Sequence, residues 1–543
     1  GMRNAPLIAA LISRSEANIK LGIDERAQAY RALGYSKISG KTTVLICTSG
    51  TALANYMPAI IEAKKSGQPL MVISADRPVE LAISDANQTI DQVKFYGEHV
   101  QGSLNLGAPS EAISAEVIAT SIDNLLFKSK YPHSGPVHMN CPFREPVDDT
   151  IKEISDSYIK SCEIVFNKEQ AMTNYPLPEQ SCSNEYLEKL ASIVNETENG
   201  ILVIGSLAAG LDKGQIKEFI NKLNWPTFLD ISSSLKYSYC LDDKIIPTFD
   251  HPEVFEQYSN KAPQTIIHIG GRTTSKHYYR FLETYKDINY ISINLNSAKE
   301  DPSHQTAIRL VAAPDIFCQQ MLPLIEIKNK VKAPFNWKEF VARKVKIIVE
   351  SEMAYPSISK KLIEIIQEDS NLYIANSTVI RSFDNYVSMS ERKDITVLSN
   401  RGVSGIEGLI ASACGVTDKT NSPTTLIIGD VSFIHDLNSL MLLKDTNAPV
   451  IIILVNNFGG GIFSLLPIAK DKDMLPYMAT PHELQFSNAA KLFDIDYKKA
   501  TNIKDFEAAY NSSVADQKHS IIEVLVDNDK NIELYKKLRT VRL

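Results

Sequence analysis

The chain has 543 residues, 44% of them apolar and 22% charged, an ordinary globular composition with room for three or four domains at roughly 150 residues each. Its net charge of −7 argues against non-specific nucleic-acid binding, and no apolar run approaches the ~18 residues needed to cross a bilayer. No charged-then-apolar leader opens the sequence. Seven scattered cysteines (Cys47, Cys141, Cys162, Cys182, Cys240, Cys318 and Cys414), an odd count without a CxxC pair, read as reduced thiols of a cytoplasmic protein.

Three segments repeat one alternation of continuous apolar strands and amphipathic helices. The first contains "TTVLICTSG", "LMVISADRP" and "GPVHMNCPF". The second contains "GILVIGSLAAG", "QTIIHIGGRTTS" and "INYISINLN". The third contains "NLYIANSTV", "DITVLSNRG", "TTLIIGD", "PVIIILVNN" and "HSIIEVLVD". Continuous apolar strands between helices predict α/β domains with parallel sheets covered on both faces, and such sheets bind ligands at the carboxyl ends of their strands. Polar, proline-containing stretches, about 145–183 and "KNKVKAPFNW", place boundaries near 165 and 340. The expected domains are therefore 1–165, 166–340 and 341–543. The irregular stretch around 470–487 reads equally as an active-site lid or a surface loop.

In chain order, "KLGIDERAQAYRALGYSK" places Glu25 at the start of an amphipathic helix, where an acidic residue commonly serves the cap and the helix dipole. "TSGTALAN" is a strand-turn-helix whose turn, Ser49-Gly50, is able to cradle an anion or to be a plain turn. "ADRPVELAISDANQTIDQ" sets Arg77, Asn87 and Gln88 beyond a strand end, with Arg77 suited to a bidentate carboxylate pair or to a solvated loop. The glycines of "GILVIGSLAAG" do not have the dinucleotide spacing. "NSTVIRSFD" separates Ser377 and Arg381 by four positions, one face of a helix, and Arg401 follows "DITVLSN".

The third segment carries the strongest signal. Two apolar runs end in Gly429-Asp430 and in Asn456-Asn457, with Asn457 following Asp430 by 27 positions. A strand-end Asp before a helix offers a hard oxygen to a cation beside N–H groups that accept an anion. Asn457 adds a neutral oxygen, and Gly459 in the Gly459-Gly460-Gly461 cluster is able to present a carbonyl. Taken singly, each turn is as well explained by ordinary helix capping. His435 and Asp436 adjoin the motif, on a helix expected to pack behind it.

Together these turns resemble the thiamine-diphosphate motif, Gly-Asp followed after a spacer of this order by Asn-Asn, with Val431 in place of the usual Gly. The wider set is similar to one branch of that superfamily, the 2-succinyl-5-enolpyruvyl-6-hydroxy-3-cyclohexene-1-carboxylate (SEPHCHC) synthases, often called MenD. It comprises "GMRNAPL", "IDERAQAYRALG", "TSGTALAN", "SADRPVEL", "ANQTIDQ", "GPVHMNCPFREP", "NRGVSGIEG", "GDVSFIHDLN" and "NNFGGGIFSLLP". It covers the first and third segments well, and the second only around "TTSKHYYRF".

The resemblance implies three domains: pyrimidine-binding, a Rossmann-like middle domain without a required cofactor, and diphosphate-binding. It implies a transferase that decarboxylates 2-oxoglutarate on thiamine diphosphate and adds the succinyl carbanion equivalent to isochorismate in menaquinone biosynthesis. Asp430, Asn457 and Gly459 would hold Mg²⁺, with Mn²⁺ as an alternative. Glu25 would be the carboxylate at N1′ of the aminopyrimidine. Ser49, Gly50, Ile406, Val431, Ser432 and Ile462 would complete the cofactor site, Ile406 as the prop that bends it. Arg3, Arg77, Asn87, Gln88, Lys276, Ser377, Arg381, Arg401, Phe463 and Leu466 would bind substrate. A homodimer or homotetramer with sites between subunits is implied. The alternatives are another thiamine-diphosphate 2-oxo acid decarboxylase, an acetohydroxyacid-type carboligase, a non-catalytic truncated homologue and, more distantly, a nicotinamide oxidoreductase. Related chains carry a further helix and strand ahead of the first motif. Met2 stands where they have Ser, and His277 where some have Arg. On that comparison Arg3 is expected on a frayed end beside an unpaired sheet edge.

Overall fold

The computed structural model describes residues 1–145, 147, 154–168, 170–239, 244–259, 262–326, 336–387 and 394–542. Most of "KNKVKAPFNW", part of the 145–183 stretch and Cys240 lie outside the described residues. Two compact units emerge. One comprises Gly1–Glu179, Asn400–Lys419 and Asn438–Asp445, the other Gln180–Ser399, Thr420–Leu437 and Thr446–Leu543. Among the described residues no helix is long and apolar enough to cross a membrane.

The first unit is built on β1 (Thr43–Cys47), β2 (Leu70–Asp76), β3 (Ser103–Asn105) and β4 (Val137–Pro142), all parallel in the order β1-β2-β4-β3. Among the described residues β1 lies at one edge of this sheet. Its register, Thr43 opposite Leu70 and Cys47 opposite Ser74, aligns the carboxyl ends that carry Ser49 and Arg77. Helix Glu25–Ser39 packs closely on helix Leu409–Thr420, where a Cβ at Gly34 would lie 2.0 Å from the Ser412 carbonyl oxygen. A buried Arg31–Asp418 ion pair of 2.7 Å joins the same two helices, so Asn400–Lys419 folds with the first unit.

The second unit holds two six-stranded parallel sheets. The first contains β5 (Gly200–Ile204), β6 (Thr227–Leu229), β7 (Ile245–Ile246), β8 (Thr265–Ile269), β9 (Asn289–Asn294) and β10 (Ile308–Val311), ordered β10-β9-β8-β5-β6-β7. The second contains β11 (Asn371–Ile374), β12 (Thr396–Leu398), β13 (Thr424–Gly429), β14 (Val450–Asn456), β15 (Asp496–Ala500) and β16 (Ser520–Leu525), ordered β12-β11-β13-β14-β16-β15. Every residue of β14 is buried, the state its seven-residue run "VIIILVN" requires. The strands without a long apolar run, β3, β6, β7, β10 and β15, had no counterpart in the sequence pattern. They are short or lie at sheet edges.

Candidate functional site

In the first unit, Asp24 rather than Glu25 caps the helix Glu25–Ser39, its carboxylate accepting from the Ala27 N–H at 3.3 Å. Glu25 is the first helical residue and is half-buried. It faces Cys47 and Tyr56: burial pushes the Cys47 thiol up to about 12, and the adjacent Glu25 carboxylate adds to the shift. Burial also raises Tyr56, with Cys47, Tyr96 and then Glu25 adding to the shift.

Ser49 and Gly50 follow β1, and Arg77 follows β2. The Arg77 guanidinium donates to the Ser49 hydroxyl and, at 3.0 Å, to the Gln88 carbonyl. Arg3 is the correction to the sequence reading: it is not frayed but only 8% exposed. It donates to the Phe143 carbonyl at 2.9 Å and to Glu145 at 2.8 Å, anchoring beyond the end of β4. Burial lowers the Arg77 pKa, and repulsion from neighbouring Arg3 lowers it further. Arg3, Arg77, Ser49 and Gln88 therefore come together at the carboxyl ends of the first sheet. Asn87 lies on the same exposed turn. Arg401 and Ile406 are half-buried on the loop preceding helix Leu409–Thr420, also in the first unit.

In the second unit β13 and β14 are adjacent, with Gly429 opposite Val455, so both motif ends emerge side by side. Asp430 is 2% exposed. Its Oδ1 accepts the Val431 N–H at 2.7 Å, and its Oδ2 accepts those of Asn457 at 3.1 Å and Gly459 at 2.9 Å. Burial raises its pKa while these N–H groups and His482, 3.4 Å away, pull it back. The Asn457 Oδ1 accepts from the Tyr355 hydroxyl at 3.0 Å. Val431 and Ser432 begin a helix of only six residues, Asp430–His435, and Asp436 beyond it is fully buried. Gly459 has φ +144°, and a Cβ there would meet the Ala479 carbonyl oxygen at 2.7 Å. That carbonyl accepts the Gly460 N–H at 2.6 Å, and the His482 N–H donates to the Phe458 carbonyl at 3.2 Å. The 470–487 stretch thus packs on the glycine cluster through Ala479 and His482. Ile462 and Phe463 lie in the 3₁₀ turn Gly461–Leu465, with the more exposed Leu466 just after it.

Ser377 ends the connection after β11 with φ +67°, a left-handed conformation unusual for serine. Arg381, one turn into helix Thr378–Tyr386, donates to the Ser377 carbonyl at 2.7 Å. Lys276 is exposed at the start of helix Lys276–Thr284. Asp250 holds that helix start, taking hydrogen bonds from Ser275, from His277 at 3.0 Å, and from Asn385 at 3.1 Å. Against the upward push of burial, these bonds keep the Asp250 carboxyl below its ordinary value. Asn385 shares a helix with Arg381, so Asp250 ties the Lys276 and Arg381 segments together. His277 is engaged with Asp250.

The N-terminal TPP binding domain of thiamine pyrophosphate enzymes matches residues 1–95, the middle domain 157–374 and the C-terminal TPP binding domain 382–524. The chain is 38% identical to the SEPHCHC synthase of Syntrophus aciditrophicus over 100% of its own length and 94% of that protein. It is a member of the SEPHCHC synthase family. The SEPHCHC synthase of Chlorobaculum tepidum is 33% identical over 99% of this chain and 92% of its own. The crystal structure of benzoylformate decarboxylase from Polynucleobacter necessarius has the same fold, with a TM-score of 0.75, 15% identity and coverage of 97% of this chain and 94% of that one.

Within this SEPHCHC synthase family member, the first unit contains a polar network that the sequence reading missed. Gln92, 1% exposed, accepts the Gly50 N–H at 2.9 Å and donates to the Ala75 carbonyl and to Asn140. Asn140 donates to Asp76 at 2.8 Å and accepts from Ser74, which is bonded to His138 at 2.8 Å. This network fixes the backbone on which Gly50 and Arg77 are mounted. The only local signal was the glutamine closing "ANQTIDQ".

Proposed function

We propose that this chain decarboxylates 2-oxoglutarate and joins the remaining four-carbon unit to isochorismate by 1,4-addition, giving SEPHCHC and CO₂ in menaquinone biosynthesis. The observation that carries this reading is the side-by-side emergence of Asp430 and Asn457 from β13 and β14, with Gly459 bonded to the same carboxylate.

The residues present fit thiamine diphosphate with Mg²⁺ or Mn²⁺. The Asp430 carboxylate, the Asn457 side-chain oxygen and the Gly459 carbonyl would supply an all-oxygen donor set of the kind hard cations take. A carboxylate as buried as Asp430 calls for a positive partner. When bound, thiamine diphosphate supplies the electron sink that decarboxylation of a 2-oxo acid needs. Glu25 would share a proton with N1′ of the aminopyrimidine, and its setting against Cys47 and Tyr56 suits that exchange. Ile406 would prop the cofactor, with Ser49, Gly50 and Ile462 around it and Val431 and Ser432 beside the diphosphate. Arg3, Arg77, Lys276, Arg381 and Arg401 would receive the substrate carboxylates, with Asn87, Gln88 and Ser377 orienting them and Phe463 and Leu466 forming the apolar wall. Several cations suit dicarboxylic substrates better than pyruvate.

Glu25 and Asp430 lie on different units, and Leu21 and Ile23, just before Glu25, are 73% and 79% exposed. That exposure supports a homodimer or homotetramer with sites shared between subunits. Three domains with boundaries near 165 and 340 fit the three sheets. The six free cysteines among the described residues support a cytoplasmic location.

The test is isochorismate consumption by the purified chain with 2-oxoglutarate, Mg²⁺ and thiamine diphosphate, beside Glu25→Gln. Loss of isochorismate that needs every component and collapses in the variant supports the reading. Turnover of pyruvate without use of isochorismate supports a different carboligase, and cofactor binding without turnover supports a non-catalytic homologue.

A further inference from the structure

Arg401 and Ile406 sit on an irregular loop, residues 400–408, between β12 and helix Leu409–Thr420. Such a loop has no ladder to satisfy its backbone, and Ser404 within it has φ +59°. Its shape therefore depends on groups outside it. One such group is Glu62, in the middle of helix Met57–Ser66. Glu62 is 1% exposed, unusual for a glutamate. Each carboxylate oxygen takes one backbone N–H of the loop: Oε1 accepts from Gly402 at 2.8 Å and Oε2 from Val403 at 2.7 Å. Lys37, itself buried, supplies the countercharge at 3.4 Å. The approach is tight, since a Cβ on Gly402 would lie 2.6 Å from the Glu62 carbonyl oxygen. Tyr30 holds the far end of the loop, its hydroxyl donating to Glu407 at 3.0 Å. Arg401 immediately precedes the two clamped residues, and Ile406 lies between Val403 and Glu407.

We propose that Glu62 is a positioning residue for the reaction: its two-pronged hold on the Gly402 and Val403 amides sets the loop that presents Ile406 to the cofactor and Arg401 to the substrate. The inference rests on the roles assigned to Ile406 and Arg401 above. Glutamine at position 62 keeps the volume and one acceptor but turns a donor toward the other N–H. One charge-assisted bond to a buried amide is lost, a change of about tenfold or more in the equilibrium it supports.

The test compares the wild-type chain, Glu62→Gln and Lys37→Arg, titrated with thiamine diphosphate in Mg²⁺ and followed by near-ultraviolet circular dichroism, with kcat and KM for 2-oxoglutarate measured in parallel. Glu62→Gln is expected to weaken cofactor binding about tenfold and to lower kcat as well. Lys37→Arg, which keeps the countercharge and leaves both amide bonds in place, is expected to change each by less than about threefold. Independently of any variant, the Gly402 and Val403 amides of the wild-type chain are expected to be protected in hydrogen exchange. Cofactor affinity and kcat unchanged in Glu62→Gln, with only its thermal midpoint lowered, would overturn the proposal and leave a purely structural glutamate. Rapid exchange of both amides in the wild type would overturn it too. A wild-type chain that does not bind thiamine diphosphate would fail at the function itself, an outcome told apart because no variant is involved.

Discussion

The two units carry opposite kinds of chemistry. The first holds Glu25, a half-buried carboxylate whose charge acts on Cys47 and Tyr56, and the cationic pair Arg3 and Arg77. The second holds Asp430, a fully buried carboxylate that accepts the backbone N–H groups of Val431, Asn457 and Gly459. On the proposed function, one carboxylate would exchange a proton and the other would hold a cation. Burial and hydrogen bonding, rather than residue type, separate the two roles.

That contrast is sharpest in the two variants with the largest expected effects. Glu25→Gln should lower kcat by about 10²–10⁴-fold while cofactor binding, read by circular dichroism, persists. Asp430→Ala should abolish Mg²⁺-dependent cofactor binding instead, with activity down at least about a hundredfold at fixed cofactor. Identical phenotypes for the two would break the comparison.

The first unit also carries an acid-sensitive element. Burial lowers the His138 pKa to about 4 from its ordinary 6.5. The folded chain keeps His138 neutral, so its contribution is complete above pH 6.5. As pH falls from 6.5 toward 4 the unfolded chain takes up the proton first, and stability declines by about 3 kcal/mol at most. Urea midpoints at pH 7 and pH 5 should fall less steeply in His138→Gln than in the wild type. Equal slopes would show that His138 titrates normally.

Smaller effects separate substrate from cation binding. Arg77→Gln in the first unit should raise KM for 2-oxoglutarate or isochorismate about tenfold with cofactor affinity unchanged. Tyr355→Phe in the second unit, which removes the hydroxyl from the Asn457 oxygen, should weaken Mg²⁺ affinity about tenfold and leave kcat nearly unchanged at saturating Mg²⁺. If Arg77→Gln altered the Mg²⁺ requirement, or Tyr355→Phe altered only KM for substrate, the division of labour would be wrong.

The sequence was most legible where chemistry and local pattern coincide. β13 and β14 announce themselves as apolar runs, and their abrupt polar ends mark where a parallel sheet binds ligands. Glu25 was legible as a helix start but not distinguishable from a cap until Asp24 was seen to take that task. Arg3 looked like a loose end. Its anchor, the Phe143 carbonyl, lies 140 residues away and left no local trace.

By itself the sequence determined the α/β class, the strands long enough to show a continuous apolar run, and the motif residues at their ends. These follow from nearest-neighbour periodicity and from turn chemistry, which short stretches encode completely. Tertiary structure alone decided which polar side chains meet. Glu62 sits in "AIIEAKKSG" like any solvated helix charge, yet it is buried against amides 340 and 341 positions away. His138 and Asn140 lie in a strand, and only the pairing of β2 with β4 brings them to Ser74 and Asp76. Buried polar groups must find partners, and those partners are chosen by the packing of whole elements rather than by the residues next in line.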